Sequence, residues 1–288
     1  MKPAPFDYVR PATLDEALRL LAQHRDNAKV IAGGQSLVPM MNMRFARPEL
    51  LIDINALKPL DYHHRDGDVL AIGALARHAT LAGSEVVRAL CPLVSEAYCH
   101  VAHGTIRNRG TLAGNLCHAD PASEMPAVML ALDAVFVLKS QQGERRVKAA
   151  EFFQSPYTTA TAADELLAEV RVPISTAGHA FEEISARQGD FAMTLVASTL
   201  KLRDQRIDAA AVAYAGVSGC ALRLPVLEQM LIGQTPSPAL FERVGAAAAE
   251  AIDVMSDQHV DAAYRRDLIR TLTPRALARA AAAAAVVA

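Results

Sequence analysis

The chain has 288 residues, enough for about two domains of ordinary size. Apolar residues make up 52% and charged residues 21%, so there is material for a packed core and no signature of disorder. With 29 Lys and Arg against 31 Asp and Glu, the net charge of −2 speaks against a general nucleic-acid binder.

In chain order, Thr13 caps a first helix, Glu16 completes a capping box, and Ala17, Leu18, Leu20 and Leu21 supply its apolar stripe. A short apolar strand at 29–34 runs into a glycine pair. Residues 37–45 are mixed and methionine-rich, with Met40, Met41 and Met43 expected in the core. Residues 50–54 and 68–75 read as strands, and 81–102 as largely helical. His63 and His64 read as a surface turn beside Asp66-Gly67. A Gly-rich stretch at 104–114 leads to a short helix at 127–132. The runs 134–139 and 145–148 flank Gln142-Gly143, a hairpin signal, and 165–173 is a strand stopped by proline. Residues 174–180 form the one plausible linker. Beyond it, strand-like runs at 192–203 and 206–217 pair across Asp204-Gln205, and helices follow at about 236–252 and 260–283. The alanine-rich tail 276–288 is a strong helix former. The best boundary lies near 176, between a mixed α+β domain and a smaller one of strands and helices.

No run of about 18 apolar residues is present; the longest candidates, 209–217 and 280–288, are too short to span a bilayer. Residues 1–11 hold one Lys and no apolar core of the signal-peptide kind, which points to a soluble cytoplasmic protein. Cys91, Cys99, Cys117 and Cys220 are too few and scattered for a disulfide framework. Without C-x-x-C, neither a zinc ribbon nor an iron–sulfur cluster is encoded, and any cluster would have to come from a partner.

Neither G-x-G-x-x-G nor G-x-x-x-x-G-K-[ST] occurs. Two unlike glycine-rich segments stand instead: Ala32-Gly33-Gly34-Gln35-Ser36 after a strand, and Gly110-Thr111-Leu112-Ala113-Gly114-Asn115 after the basic turn 106–109. Glycine lets successive N–H groups point into one concavity, which suits a diphosphate. Ser36 and Thr111 add hydroxyls and Asn115 an amide. Each loop alone reads more readily as an ordinary turn, and composition does not decide between the two readings. Arg107 and Arg109 read either as helpers of a pyrophosphate or partner, or as a solvated turn.

AGGQSLVPMMNMR at 32–44 with LIDIN at 51–55 resembles the first FAD motif of the medium, flavin-carrying subunit of molybdenum hydroxylases, the carbon monoxide dehydrogenase and xanthine dehydrogenase family. TIRNRGTLAGNLCHADPASEMP at 105–126 resembles the second motif, and RQGDFA at 187–192 a signature of the C-terminal domain. The resemblance runs over essentially the whole chain. It implies an α+β fold: a two-lobed FAD-binding domain of the vanillyl-alcohol-oxidase type at 1–176, with lobes of about 1–55 and 56–176. A C-terminal domain at 177–288, with a three-stranded antiparallel sheet and helices, follows. FAD would lie extended between the domains.

Residue by residue, the resemblance carries over Ala32, Gly33, Gly34, Gln35, Ser36 and Leu37 as the first pyrophosphate loop. Gly110, Thr111, Leu112, Ala113, Gly114 and Asn115 become the second. His118, Ser123 and Glu124 correspond to polar side chains that meet the ribityl and ribose hydroxyls. Leu167 corresponds to an apolar residue beside the flavin ring, and Asp190 and Phe191 to a turn that approaches the ring. Glu124 stands where aspartate is usual. Glu183 stands where many relatives carry lysine; near the flavin it would disfavour the anionic reduced ring, and it is expected to be exposed. Cys99, His100, His103, Cys117 and His118 lack the spacing of known zinc motifs, and no metal site or catalytic residue is expected in this chain.

The implied function is electron transfer. A small subunit with two [2Fe-2S] clusters would feed FAD here, and an external acceptor would be reduced. A large molybdopterin subunit would hydroxylate the substrate, and the resemblance implies a dimer of heterotrimers. Gln35, where carbon monoxide dehydrogenases commonly carry His, favours an aromatic N-heterocycle as substrate; an aerobic carbon monoxide dehydrogenase is the alternative within the class. From other classes stand a stand-alone FAD oxidase and a flavin-free assembly protein.

Overall fold

The computed structural model describes residues 1–287; Ala288, at the end of the expected second domain, lies outside them. Its first sheet is parallel. β1 (Asp7–Val9), β2 (Ala28–Ile31) and β3 (Leu50–Asp53) are ordered β1-β3-β2, so the central strand carries the buried Leu50, Leu51 and Ile52. α1 (Leu14–His24) starts at Thr13, whose hydroxyl accepts from the Glu16 amide, while Glu16 accepts from Ala12 N at 2.7 Å. Its stripe Ala17, Leu18 and Leu21 is buried against the sheet. α2 (Leu37–Asn42) follows the glycine pair. Of the methionines expected in the core only Met41 is buried; Met43 is 47% exposed.

His63 and His64 belong to β4 (His63–Asp66), not to a turn; the turn is at Gly67, with φ +63°. β5 (Val69–Gly73) follows. The expected helix at 81–102 is three short ones, α3 (His78–Ala82), α4 (Glu85–Leu90) and α5 (Pro92–Ala97). Gly83 ends the first, Ser84 caps the second through the Val87 amide, and Pro92, with no N–H to give, opens the third. α6 (Gly104–Arg107), α7 (Leu112–His118) and α8 (Glu124–Ala131) lead to the hairpin β6 (Val135–Ser140) and β7 (Gly143–Lys148). Next come α9 (Ala149–Phe152), the small hairpin β8 (Phe153–Ser155) and β9 (Thr158–Thr159), and β10 (Leu166–Pro173). The second sheet is antiparallel, β4-β5-β10-β6-β7.

β11 (Gly178–Ser185), β12 (Ala192–Arg203) and β13 (Arg206–Ala215) form the third sheet, with Asp204 and Gln205 both left-handed at φ 51° and 60° in the tight turn between the long strands. The sheet has four strands rather than three, because β14 (Leu222–Arg223) pairs with Ala213 and Tyr214. α10 (Pro225–Leu231), which the sequence reading passed over, has proline in its first turn. α11 (Pro238–Ala251) and α12 (Ala262–Val287) cover one face of this sheet, and α5 and α8 lie against the other.

That two-sided cover explains why 192–215 reads as continuously apolar. Val196, Leu200, Val212 and Tyr214 pack into the core under α11 and α12, while Leu195, Ala197, Ala213 and Ala215 pack into the core shared with the first domain. The alanine tail has a packing reason too. A Cβ on Gly178 would lie 2.1 Å from the Ala280 carbonyl, so α12 approaches β11 as closely as small residues permit.

Candidate functional site

The two glycine-rich loops, at 32–36 and 110–115, touch in the fold. A Cβ on Gly33 would sit 2.3 Å from the Arg109 carbonyl and 2.7 Å from Gly110 Cα, so glycine at 33 is what lets the loops meet. Gly34 takes φ +71° to turn the chain into α2. On the other side His78 N donates to Gly110 O at 3.0 Å and Leu112 N to Ala76 O at 3.3 Å. Among the described residues, no hydrogen bond uses the amides of Gly33, Gly34, Gln35, Ser36 or Leu37. Five successive donors without an internal acceptor, and no carboxylate within either loop, make a donor set suited to a diphosphate. The residues present therefore fit the phosphates of FAD.

The side chains sort differently. Gln35 folds back onto Gly33 O at 3.1 Å, and Ser36 leaves the start of α2 without a side-chain cap. Thr111 is spent as the cap of α7, accepting from Gly114 N at 3.0 Å, and is 2% exposed. Leu112 and Ala113 are buried packing residues. Arg107 is half-buried rather than part of a solvated turn. It donates to the carbonyls of Val101 and Ala102 at 2.8 and 2.6 Å, and so holds α6 onto the chain before it.

At the far end of α7 the remaining polar residues fall into two groups. Asn115, Ser123 and Glu124 form a chain: Asn115 Nδ2 donates to Ser123 Oγ at 2.8 Å, and Ser123 Oγ lies 3.5 Å from Glu124 Oε2. His118 stacks beside Tyr157 with ring centroids 5.1 Å apart and lies 3.8 Å from Asp120; burial lowers its pKa. The 120–122 turn receives the second domain, since Ala192 N donates to Ala122 O and Gly216 N to Pro121 O. Leu167 is buried on β10, beside a bulge, on the strand that packs against α7. Asp190 and Phe191 lie on a turn that rests on 99–103. Gln188 reaches Cys99 O at 3.4 Å, Gly189 with φ +86° lies against Ala102, and Phe191 is 64% exposed.

Glu183 is not exposed. Its side chain is fully buried on β11, neither carboxylate oxygen has a hydrogen-bond partner, and His100 Nδ1 lies 3.7 Å from Oε1. The charge on Glu183 and burial together push Glu124 up to about 7, burial being the larger cause. His100 is raised, chiefly by Glu183. No three His, Cys, Asp or Glu side chains among the described residues are grouped to hold a metal ion.

Sequence reasoning missed two members of the loop junction, Arg77 and, as a side chain, Asn55. Asn55 Nδ2 donates to Ala32 O at 2.8 Å, Arg77 Nη2 donates to Asn55 Oδ1 at 2.5 Å, and Arg77 Nη1 donates to Arg109 O. Asn55 lay inside a quoted motif; nothing in the local sequence marks Arg77.

Two glycine loops meeting in an amide-lined cradle, at one end of an α+β domain that shares its core with a second domain, place the chain among proteins that bind a diphosphate-containing cofactor. A family model described as FAD binding domain in molybdopterin dehydrogenase matches residues 4–175, and one described as CO dehydrogenase flavoprotein C-terminal domain matches 179–280. The chain belongs to this family of FAD-binding medium subunits of molybdenum hydroxylases, and is an oxidoreductase subunit. It is 43% identical over 284 residues to caffeine dehydrogenase subunit beta of Pseudomonas sp. (strain CBB1), covering 98% of this chain and 96% of that one. It is 42% identical to 6-hydroxypseudooxynicotine dehydrogenase complex subunit alpha of Paenarthrobacter nicotinovorans, covering 97% and 96%. A carbon monoxide dehydrogenase structure from Hydrogenophaga pseudoflava superposes with a TM-score of 0.95 at 35% identity, over 98% of this chain and 99% of that one. No helix among the described residues is long and apolar enough to cross a membrane.

Proposed function

We propose that this chain carries FAD as the electron-transfer subunit of a cytoplasmic molybdenum hydroxylase. It takes electrons from [2Fe-2S] clusters of a small partner and passes them to an external acceptor, within a dimer of heterotrimers whose large molybdopterin subunit oxidises the substrate. The observation that carries this reading is the run of unpaired amides at 33–37, held against the second glycine loop. When bound, FAD supplies the electron storage, and the protein supplies binding, orientation and electrostatics. Gly33 to Leu37 bind the diphosphate through backbone N–H groups. Asn115 and Ser123 present polar atoms beside α7 to the cofactor's hydroxyls, and the 187–191 turn of the second domain borders it. Leu167 supplies apolar surface on the β10 side.

For the substrate we favour an aromatic N-heterocycle. Identity to the caffeine and 6-hydroxypseudooxynicotine subunits, 43% and 42%, exceeds the 35% to the carbon monoxide enzyme, and Gln35 points the same way. The test is purification through a tag on this chain, alone and co-expressed with its partners. Denaturation should release FAD into the supernatant, and iron, molybdenum and turnover of an N-heterocycle should appear only in the co-expressed complex. A flavin-loaded monomer that turns over an organic substrate without either metal would make the protein a stand-alone oxidase. A complex that oxidises carbon monoxide and no heterocycle would move the substrate to the alternative.

A further inference from the structure

We infer that Arg77 and Asn55 form a clamp that aims the amides of the first glycine loop and locks the second loop against it, making both positioning residues for the cofactor diphosphate. The inference rests on the flavin reading above and adds residues to it.

No cis peptide bond occurs among the described residues, so the Ala32 C=O and the Gly33 N–H, which share one peptide plane, point in opposite directions. Asn55 pulls the Ala32 carbonyl toward β3 with a 2.8 Å hydrogen bond, and so turns the Gly33 N–H away from the protein, at the head of the unpaired run 33–37. Asn55 itself has no freedom left. Its backbone N and its Nδ2 both donate to Asp53 Oδ1, at 2.9 and 2.6 Å, and its Oδ1 accepts from Arg77 Nη2 at 2.5 Å. An amide with a donor end on two oxygens and an acceptor end on a guanidinium cannot flip without losing every partner.

Arg77 performs the second half of the task. Its other terminal nitrogen holds the Arg109 carbonyl, whose oxygen lies 2.3 Å from where a Cβ on Gly33 would be. One planar guanidinium therefore ties residue 55, and through it residue 32, to residue 109. A lysine, with a single ammonium, cannot span those two acceptors in the same geometry. Arg77 is half-buried, and both burial and the charge of Arg109 work against its cation; Asp53 and Asp61 oppose them. Two cations at one junction of loops that themselves carry no acid are held at a cost that an incoming diphosphate would relieve.

The experiment uses the full chain, stripped of flavin and titrated with FAD, for wild type, Arg77→Lys, Arg77→Ala, Asn55→Ala and the double alanine variant. Thermal unfolding of each flavin-free protein is recorded alongside. The clamp predicts that each single alanine raises the FAD dissociation constant about tenfold or more. It predicts that Arg77→Lys restores the flavin-free melting temperature without restoring affinity. The double variant should bind no worse than the weaker single, because breaking either link already frees the Gly33 amide. A purely structural role would instead move the melting temperature with the affinity and be rescued by lysine. FAD binding within about twofold of wild type in Arg77→Lys, or additive losses in the double variant, overturns the clamp. A wild-type chain that binds no FAD overturns the flavin reading itself.

Discussion

Two buried polar regions of this protein solve the same problem in opposite ways. At the glycine-loop junction the bridging side chains are satisfied: Asn55 bonds at both ends, Arg77 bridges two acceptors, and Thr111 caps a helix. At the seam between the domains Glu183 buries a carboxylate with no hydrogen-bond partner, and Glu124 has a 3.5 Å contact with Ser123. Nearby acids fare better. Glu182 pairs with Arg275 at 2.9 Å and Arg279 at 2.8 Å, and Glu96 also meets Arg279. A satisfied network fixes geometry, whereas an unsatisfied one makes the energy depend on protons. The first region is therefore expected to respond to shape and the second to pH.

The largest effect should come from breaking the junction sterically. Gly33→Val would drive a side chain into the Arg109 carbonyl and Gly110, both backbone, so the loops must separate. We expect loss of bound FAD and a destabilisation of roughly 3 kcal/mol or more. Flavin content after desalting and a denaturant titration measure the two. Full FAD content with unchanged stability would show that the loops do not need their contact.

The seam is tested by pH. Glu124 rises from 4.5 to about 7 in the fold, so the folded protein holds more proton than the unfolded chain between those values. That raised carboxyl leaves stability intact at low pH and erodes it as pH climbs through 7. His100, raised by Glu183, acts in the same sense, since a raised histidine loses its stabilising charge as pH rises. Glu183, Tyr98, Glu96 and Ser123 complete the set of groups that bear on these two. Glu124→Gln cannot ionise. In the flavin-free chain it should gain about 1–3 kcal/mol over wild type at pH 8 relative to their difference at pH 5. Parallel stability curves from pH 5 to 8 would sink this account. Glu183→Gln sharpens it: removing the second charge should lower the Glu124 midpoint and shrink the wild-type slope.

These regions differed in how far the sequence revealed them. The turn at Asp204-Gln205 was legible because turn chemistry is a local property, whereas the glycine loops and Asn115, Ser123 and Glu124 gained a role only through the family resemblance, and their contacts with one another are tertiary. The breakup of 81–102 was legible in principle, in Gly83, Ser84 and Pro92, but the apolar content masked it. Glu183 was misplaced because a charged residue in a strand is normally at the surface, and only tertiary packing of β11 against α5 and the chain after it buries it. Arg77 could not be read at all. Its partners lie 22 and 32 residues away, and no periodicity encodes a bridge.

The smallest expected effect sharpens the comparison within the junction, between its two loop glycines. Gly114 does not occupy a strained or crowded backbone position; it lies inside α7, and a Cβ there would meet only the Thr111 hydroxyl, at 2.9 Å. Gly114→Ala gains up to about 1 kcal/mol of helix propensity. It also pushes aside the hydroxyl that caps its own amide, an interaction of about the same size. The two changes offset, so stability should move by no more than about 0.5 kcal/mol in a denaturant titration. FAD affinity should change far less than in Gly33→Val, because the amides at 33–37 and the contact with Arg109 are untouched. If Gly114→Ala loses flavin as completely as Gly33→Val, the second loop contributes close backbone contact of its own. The division of labour between the loops, with the first binding and the second bracing, would then be wrong.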